Sequence, residues 1–274
     1  MMVKNDYIQE DLIEKILEKL EFAHIPDVSY ESLTLIYQRW CQKIPFDNIM
    51  KRIHMELNMH RLLPGSYPKD FFENWIATGV GGTCWAGNGS FYALLNSLGF
   101  PAQLGVSTMI SSSNSDVKNL PPHGTVIVNF GTLPMIVDTT MMHNDPIPLK
   151  DSAISHPLWE TSTKWNGNNW IIEWNPLGRP RSNCRIDNLK VSESDFLKHY
   201  ENSKELSRFN HSTIFRIVRH NQIEGIVLGN KVIRKMNGDE ISIPVNSEMI
   251  KKILIEDYGI LEELVVQIPD NQIV

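Results

Sequence analysis

Three features of the sequence predict an α+β protein. Apolar residues recur at helical spacing through the first part of the chain, as far as Phe100. After Phe100 they gather into short alternating or continuous runs that read as strands. Between the two regimes lies a glycine-rich stretch, Gly79-Val80-Gly81-Gly82-Thr83-Cys84, that leads into an apolar helix. The chain of 274 residues suits one large domain, or two to three small lobes around a shared core.

The helical part has five elements in order. Ile8, Leu12, Ile16 and Leu20 mark a helix over residues 6–22, and Leu33, Ile36, Tyr37 and Trp40 a second over 30–42. Lys43-Ile44-Pro45-Phe46-Asp47-Asn48-Ile49 is a turn into a short element, and Pro68 to Trp75 is another helix. The glycines at 79, 81 and 82 permit a tight backbone, and Thr83 is a residue type that caps helices. Phe91, Leu94, Leu95 and Leu98 then form one apolar face, and Gly99 is a stop signal. Cys84 therefore starts a mostly buried helix, where the dipole and free N–H groups favour a thiolate.

The strand-rich part begins at Ala102–Met109 and is followed by a polar loop from Ser111 to Pro122. His123 to Asp138 reads as two apolar strands joined by a turn near Phe130-Gly131. A two-residue turn there sets His123 directly opposite Asp138, both side chains on one face. A slip of two residues keeps the face, whereas a slip of one separates them. The Asn166-Gly167 turn before Trp170–Trp174 predicts another hairpin. Ser192 to Tyr200 reads as a helix, His211–Arg219 and Gly225–Lys235 as strands, and Ser247 as the cap of a last helix to about Asp257.

Composition narrows the function. Hydrophobic residues make up 42 % and charged residues 21 %, as in soluble globular proteins, and the net charge of −6 argues against a broad nucleic-acid surface. No apolar run is long enough for a membrane helix, and Met1 to Lys19 is charged and amphipathic, without a signal-peptide core. The three cysteines, Cys41, Cys84 and Cys184, are widely spaced, so a reduced, cytoplasmic protein without a disulfide framework is expected. No CxxC or HExxH pattern supports a metal site.

Alone, Cys84 reads as core filler, His123 as a loop residue and Asp138 as a strand end. Together they suit a thiol triad: an imidazole holds the thiolate, and a carboxylate behind it fixes the tautomer and stabilises the imidazolium. At these residues the chain resembles the arylamine N-acetyltransferases. Gly81-Gly82-Thr83-Cys84, Asn88, Phe91 and Leu98-Gly99-Phe100 match the family's cysteine helix. His123 and Val137-Asp138 match its histidine and aspartate, at matching separations. Pro45-Phe46-Asp47-Asn48-Ile49 is similar to its upstream Pro-Phe-Glu-Asn signature, and Asp257-Tyr258-Gly259-Ile260 to its closing aromatic-Gly-Ile.

The resemblance implies a helical N-terminal lobe over 1–100, a β-barrel over 101–200 and an α/β lid over 201–274, around a cysteine-protease-like Cys-His-Asp core. It also implies catalytic Cys84, His123 and Asp138, with Phe46, Thr139, Thr140 and Met141 beside the substrate. The implied chemistry is ping-pong transfer of an acyl group through a cysteine thioester, from acetyl-CoA as co-substrate to an arylamine or related amine or hydroxylamine. No metal, nucleic acid or membrane is needed for it.

Three departures from the family pattern are visible. Val80 stands where the family has Arg, Ala86 where it has Glu, and Thr139-Thr140-Met141-Met142 where it has a Gly-aromatic-Gly loop. An amide synthase or Dieckmann-type cyclase taking a carrier-bound acyl chain is the alternative. A binding protein and a papain- or transglutaminase-like hydrolase are further readings. Arg208, Arg216, Arg219, Lys231, Arg234 and Lys235 cluster late in the chain, as a solvated strand face or a contact for CoA phosphates.

Overall fold

The computed structural model describes residues 8–111, 122–206 and 210–271. The polar loop predicted between Ser111 and Pro122 falls almost wholly outside the described residues, as does Arg208.

The first part is helical, with α1 (Glu10–Lys19), α2 (Tyr30–Lys43), α3 (Ile49–Glu56), α4 (Pro68–Thr78) and α5 (Cys84–Ser97), and it contains one short strand, β1 (Phe46–Asp47). The helices pack because their apolar stripes converge. Trp40 of α2 stacks on Phe71 of α4 at 5.7 Å and leans on Phe91 of α5 at 4.7 Å, all three buried. Gly99 closes α5 in the left-handed conformation (φ 89°), with Phe100 N–H returning to Leu95 O.

Eight strands follow: β2 (Ala102–Ser111), β3 (Pro122–Phe130), β4 (Leu133–Ile136), β5 (Ile147–Pro148), β6 (Ser152–Ile154), β7 (Thr161–Trp165), β8 (Trp170–Trp174) and β9 (Ser182–Asn188). They form one antiparallel sheet in the order β5-β4-β3-β2-β9-β8-β7-β6. Its two edge strands, β5 and β6, are joined by residues 149–151 alone. Such a link spans at most about 14 Å, whereas the edges of a flat eight-stranded sheet lie roughly 34 Å apart. The sheet must therefore curl into a barrel. Ile127, Ile136, Ile172, Cys184 and Ile186 pack together in its core.

After α6 (Glu193–Leu206) come β10 (Phe215–Arg219), β11 (Gln222–Val227), β12 (Asn230–Arg234) and β13 (Glu240–Pro244), then α7 (Ser247–Glu256) and α8 (Glu262–Val265). The second sheet runs β1-β10-β11-β12-β13, so its first strand comes from the helical part. The fold is thus helical lobe, barrel and α/β lid. Cuts near residues 100 and 200 respect most elements, but β1 crosses into the lid sheet and α6 straddles the second cut.

Four expectations are corrected. The β3–β4 turn is Gly131-Thr132, pairing Phe130 with Leu133, so the register is two residues away from the one that sets His123 opposite Asp138. Gly225–Lys235 is two strands, split by Leu228 and Gly229 in the left-handed region (φ 50° and 72°). Asn246 caps α7 in place of Ser247, its side chain accepting from Met249 N–H at 2.8 Å. Thr83 holds the N-cap position of α5, but its hydroxyl makes no capping bond.

Candidate active site

Cys84 is the first residue of α5, 6 % exposed. The chain reaches it through a close approach that only glycine allows: a Cβ on Gly81 would lie 1.9 Å from Pro45 O. That approach lets Gly82 bridge to Phe46 and accept from Asp47 N–H at 3.1 Å. Asp47 completes the clamp. Its Oδ2 accepts from Gly81 N–H at 2.6 Å and its Oδ1 from Ile49 N–H at 3.0 Å.

His123 stands near the start of β3, paired with Ser107 of β2. Asp138 lies two residues beyond the end of β4, after Val137 N–H has extended the ladder to Val126 O at 3.0 Å. On this register His123 and Asp138 are diagonal neighbours on one face, within reach of an imidazole. His123 Nε2 is 2.6 Å from Asp138 Oδ2, and the ring is also hydrogen-bonded with the Cys84 thiol. With Nε2 given to the carboxylate, Nδ1 is the nitrogen that faces the sulfur. β3 comes this near α5 because of Gly124. A Cβ there would lie 2.6 Å from Trp85 Cε3 and 2.5 Å from Phe196 Cζ.

Two further groups hold the carboxylate, and a third holds the Asp138 backbone carbonyl. Asn88 Nδ2 donates to Asp138 Oδ1 at 3.2 Å and to Gly124 O at 2.7 Å, and Thr140 N–H donates to Oδ1 at 2.9 Å. The Tyr37 hydroxyl donates to Asp138 O at 2.6 Å. Asn88 lies four residues after Cys84, on the same helical face. Burial opposes the charge of His123, but Asp138 and Cys84 outweigh it and hold the imidazole well above its ordinary pKa. Burial likewise opposes the Asp138 charge, and His123, Asn88 and Thr140 overcome it to keep this carboxyl below its usual range.

The other predicted positions are spread around this core. Phe46 is buried beneath the Arg216 guanidinium, which lies 4.3 Å from its ring centre. Thr139 gives both its N–H and its hydroxyl to Asn88 Oδ1. Thr140 is buried with its hydroxyl unpartnered among the described residues. Met141 packs with the barrel residues Ile127, Ile136 and Trp174. Val80 is wholly buried with Ile49, Ile53, Phe215 and Ile260. Ala86 is as tightly placed: Cβ atoms on Gly65 and Gly82 would lie 2.8 and 2.9 Å from its own Cβ. Apolar contacts thus fill the places where the family pattern has an Arg and a Glu.

The late basic residues are not one face. Arg234 is buried, pairing with Glu240 and donating to the carbonyls of Leu158, Asn175 and Pro176. Arg219 pairs with Glu224 and Lys231 with Asp257. Arg216 alone of the described members turns toward the triad region. Among the described residues no group of three or more His, Cys, Asp or Glu is arranged to hold a metal. No described helix is long and apolar enough to cross a membrane.

Residues 29–157 match the family model for N-acetyltransferases. No curated protein sequence matches the chain. The fold matches solved arylamine N-acetyltransferases nearly end to end. The enzyme from Salmonella typhimurium superposes with a TM-score of 0.77 at 17 % identity, over 95 % of this chain and 98 % of that one. The Mycobacterium marinum enzyme, solved in complex with CoA, gives 0.78 at 14 % identity, over 93 % and 98 %. Arylamine N-acetyltransferase C from Bacillus anthracis gives 0.69 at 16 %, over 93 % and 100 %. The resemblance seen in the motifs therefore extends to the fold of the whole chain.

Proposed function

We propose that this chain is a ping-pong acyltransferase that carries an acyl group, acetyl from acetyl-CoA, on Cys84 and passes it to an arylamine or related amine or hydroxylamine. The observation that carries the reading is the contact of the Cys84 thiol with His123, whose far nitrogen lies 2.6 Å from Asp138. The fold shared with arylamine N-acetyltransferases and the N-acetyltransferase match over residues 29–157 support it.

In the first half-reaction His123 holds the Cys84 proton, and the thiolate attacks the donor's acyl carbon. A carbon–sulfur bond to Cys84 forms and the bond to the donor sulfur breaks. The departing thiolate takes the proton from the imidazolium. In the second, an amine nitrogen attacks the Cys84 thioester, its proton passes to His123, and the Cys84 thiolate leaves. Asp138 fixes the imidazole tautomer and steadies its charge in both steps. Thr139, Thr140 and Met141 follow the carboxylate directly and are assigned to the wall beside the acyl group, with Phe46 opposite.

Intact-mass spectrometry after incubation with acetyl-CoA tests this. The expected result is one acetyl adduct, mapped to Cys84, absent in Cys84→Ala and discharged by an amine. An unmodified cysteine with the fold intact, for acetyl-CoA and other CoA thioesters alike, overturns the reading.

A further inference from the structure

Three guanidiniums among the described residues are nearly wholly buried, and two of them are held by several hydrogen bonds each. Arg52 donates to Thr213, Asn271 and the carbonyls of His211 and Asp270. Arg234 is held by Glu240 and three carbonyls. Arg216 is different. It is 5 % exposed, takes part in no ion pair among the described residues, and meets aromatic rings where the other two meet oxygen acceptors; its Nε, like that of Arg52, is buried without a hydrogen-bond partner among the described residues. Its neighbours are two aromatic rings, Phe46 at 4.3 Å and Trp174 at 5.8 Å from the guanidinium carbon. The Trp174 indole N–H is likewise buried and unpartnered among the described residues. A buried charge without a counter-ion is costly, and cation–π contact offsets only part of that cost.

The placement is next to the proposed nucleophile. Gly82, two residues before Cys84, bridges to Phe46, and Phe46 pairs with Arg216. Two strand spacings set the Arg216 backbone roughly 10 Å from that of Gly82, and its side chain lies back over Phe46, between the two. Burial and the neighbouring Arg179 weigh against the guanidinium's charge, while Asp138 and Cys84 favour it. CoA phosphates do not fit this place, because a whole pantetheine arm separates them from the reacting carbonyl. A planar fork of donors calls instead for a carboxylate, held by paired N–H bonds.

We propose that Arg216, with the Trp174 N–H beside it, forms a carboxylate-binding subsite next to Cys84, so that the enzyme's substrate is acidic. This deepens the acyltransferase reading and rests on it for the role of Cys84. The carboxylate belongs either to the acyl group or to the amine acceptor.

Calorimetry of benzoate against benzamide reads the subsite without any catalysis. Benzoate should bind the wild-type protein about tenfold tighter or more. Arg216→Gln should abolish that preference, and Arg216→Lys should restore part of it. Two kinetic arms then identify the source of the carboxylate. Faster loading of Cys84 by succinyl-CoA than by butyryl-CoA assigns it to the acyl group. Faster unloading to 4-aminobenzoate than to 4-methylaniline assigns it to the acceptor. Equal binding of benzoate and benzamide by the wild-type protein, a preference unmoved by Arg216→Gln, or no acidic preference in either arm overturns the proposal. Failure of every thioester to load Cys84 counts against the acyltransferase reading alone, since the calorimetry still decides on the subsite.

Discussion

At the scale of residues, the triad was legible because its members carry unusual chemistry at positions the local pattern exposes. Cys84 opens a helix, and His123 and Asp138 bracket one hairpin. The two other cysteines are core residues, Cys41 pushed far up by burial and Cys184 pushed up to about 11 by the same cause. Arg216 was not legible as a buried group. A β-strand sequence shows which residues share a face, but not which of the two faces another lobe covers. Asp47 was legible as a motif position but not as an acid with displaced titration. Burial pushes its carboxyl from 3.8 up to about 7, against the two N–H groups that favour its charge. The folded protein then holds this proton to higher pH than the unfolded chain does. Stability from Asp47 is therefore greatest below about pH 4 and falls as pH rises toward 7. Between pH 4 and 6.5 the triad is silent, whereas His143, pulled down to about 4 by burial, adds stability as pH rises and so opposes Asp47. His123 has a raised value, and its contribution is lost only above its ordinary 6.5. Asp138 has a lowered value, and its contribution is lost only below 3.8. Asp47→Asn should make the urea midpoint rise more steeply, or fall less, between pH 4 and 6.5, and an unchanged slope would sink the assignment.

At the scale of elements, the helices were read closely because their apolar stripes are long, whereas the turns decided the errors. Leu228 adopts a left-handed turn position that its residue type disfavours, so propensity ran β11 and β12 together. Strand β13 is exposed along its length, and the short alternation of Ile241 and Ile243 faces no core that would mark it as a strand. The β3–β4 turn sits one residue later than expected, and the register moved by two, which preserved the face shared by His123 and Asp138. The approach of β3 to α5 depends on Gly124, caught between Trp85 and Phe196. Gly124→Ala must push those rings or the strand aside, a cost of about 1–3 kcal/mol in a packed core. The expected outcome is a lower melting temperature together with slower acylation of Cys84, because His123 is the next residue along the strand. A variant that acylates at the normal rate would show that the approach is not what sets the triad.

At the scale of the whole molecule, the lobe order followed from the motifs, while the meeting of the lobes did not. Phe46 and Arg216 touch across more than half the chain, a contact with no local signal. The replaced positions act at this scale too. Val80 and Ala86 remove charge behind the cysteine, and Thr140 and Met141 stand where the family pattern has small and aromatic residues. If these residues line the acceptor site as proposed above, flat stacking surface for an unsubstituted aryl ring is lost. Acyl-Cys84 should therefore form readily while discharge to simple anilines is slow. Stopped-flow measurement of the two half-reactions checks this. Discharge to aniline near the ~10 s⁻¹ median turnover of enzymes would show that the replaced loop leaves the pocket open to plain arylamines.

Because β1 is an early strand that must wait for β10, the order of synthesis matters to this protein. A ribosome releases Cys84, His123 and Asp138 long before it makes Arg216. The helices and the barrel have local partners and can gather as they emerge, while Phe46 has no strand beside it until Phe215–Arg219 is made. During that interval Cys84, His123 and Asp138 are all present, while Phe46 still lacks its partner Arg216. The lid sheet is then more than a late addition: its docking on β1 is the step that sets Arg216 over Phe46 and joins the last lobe to the first.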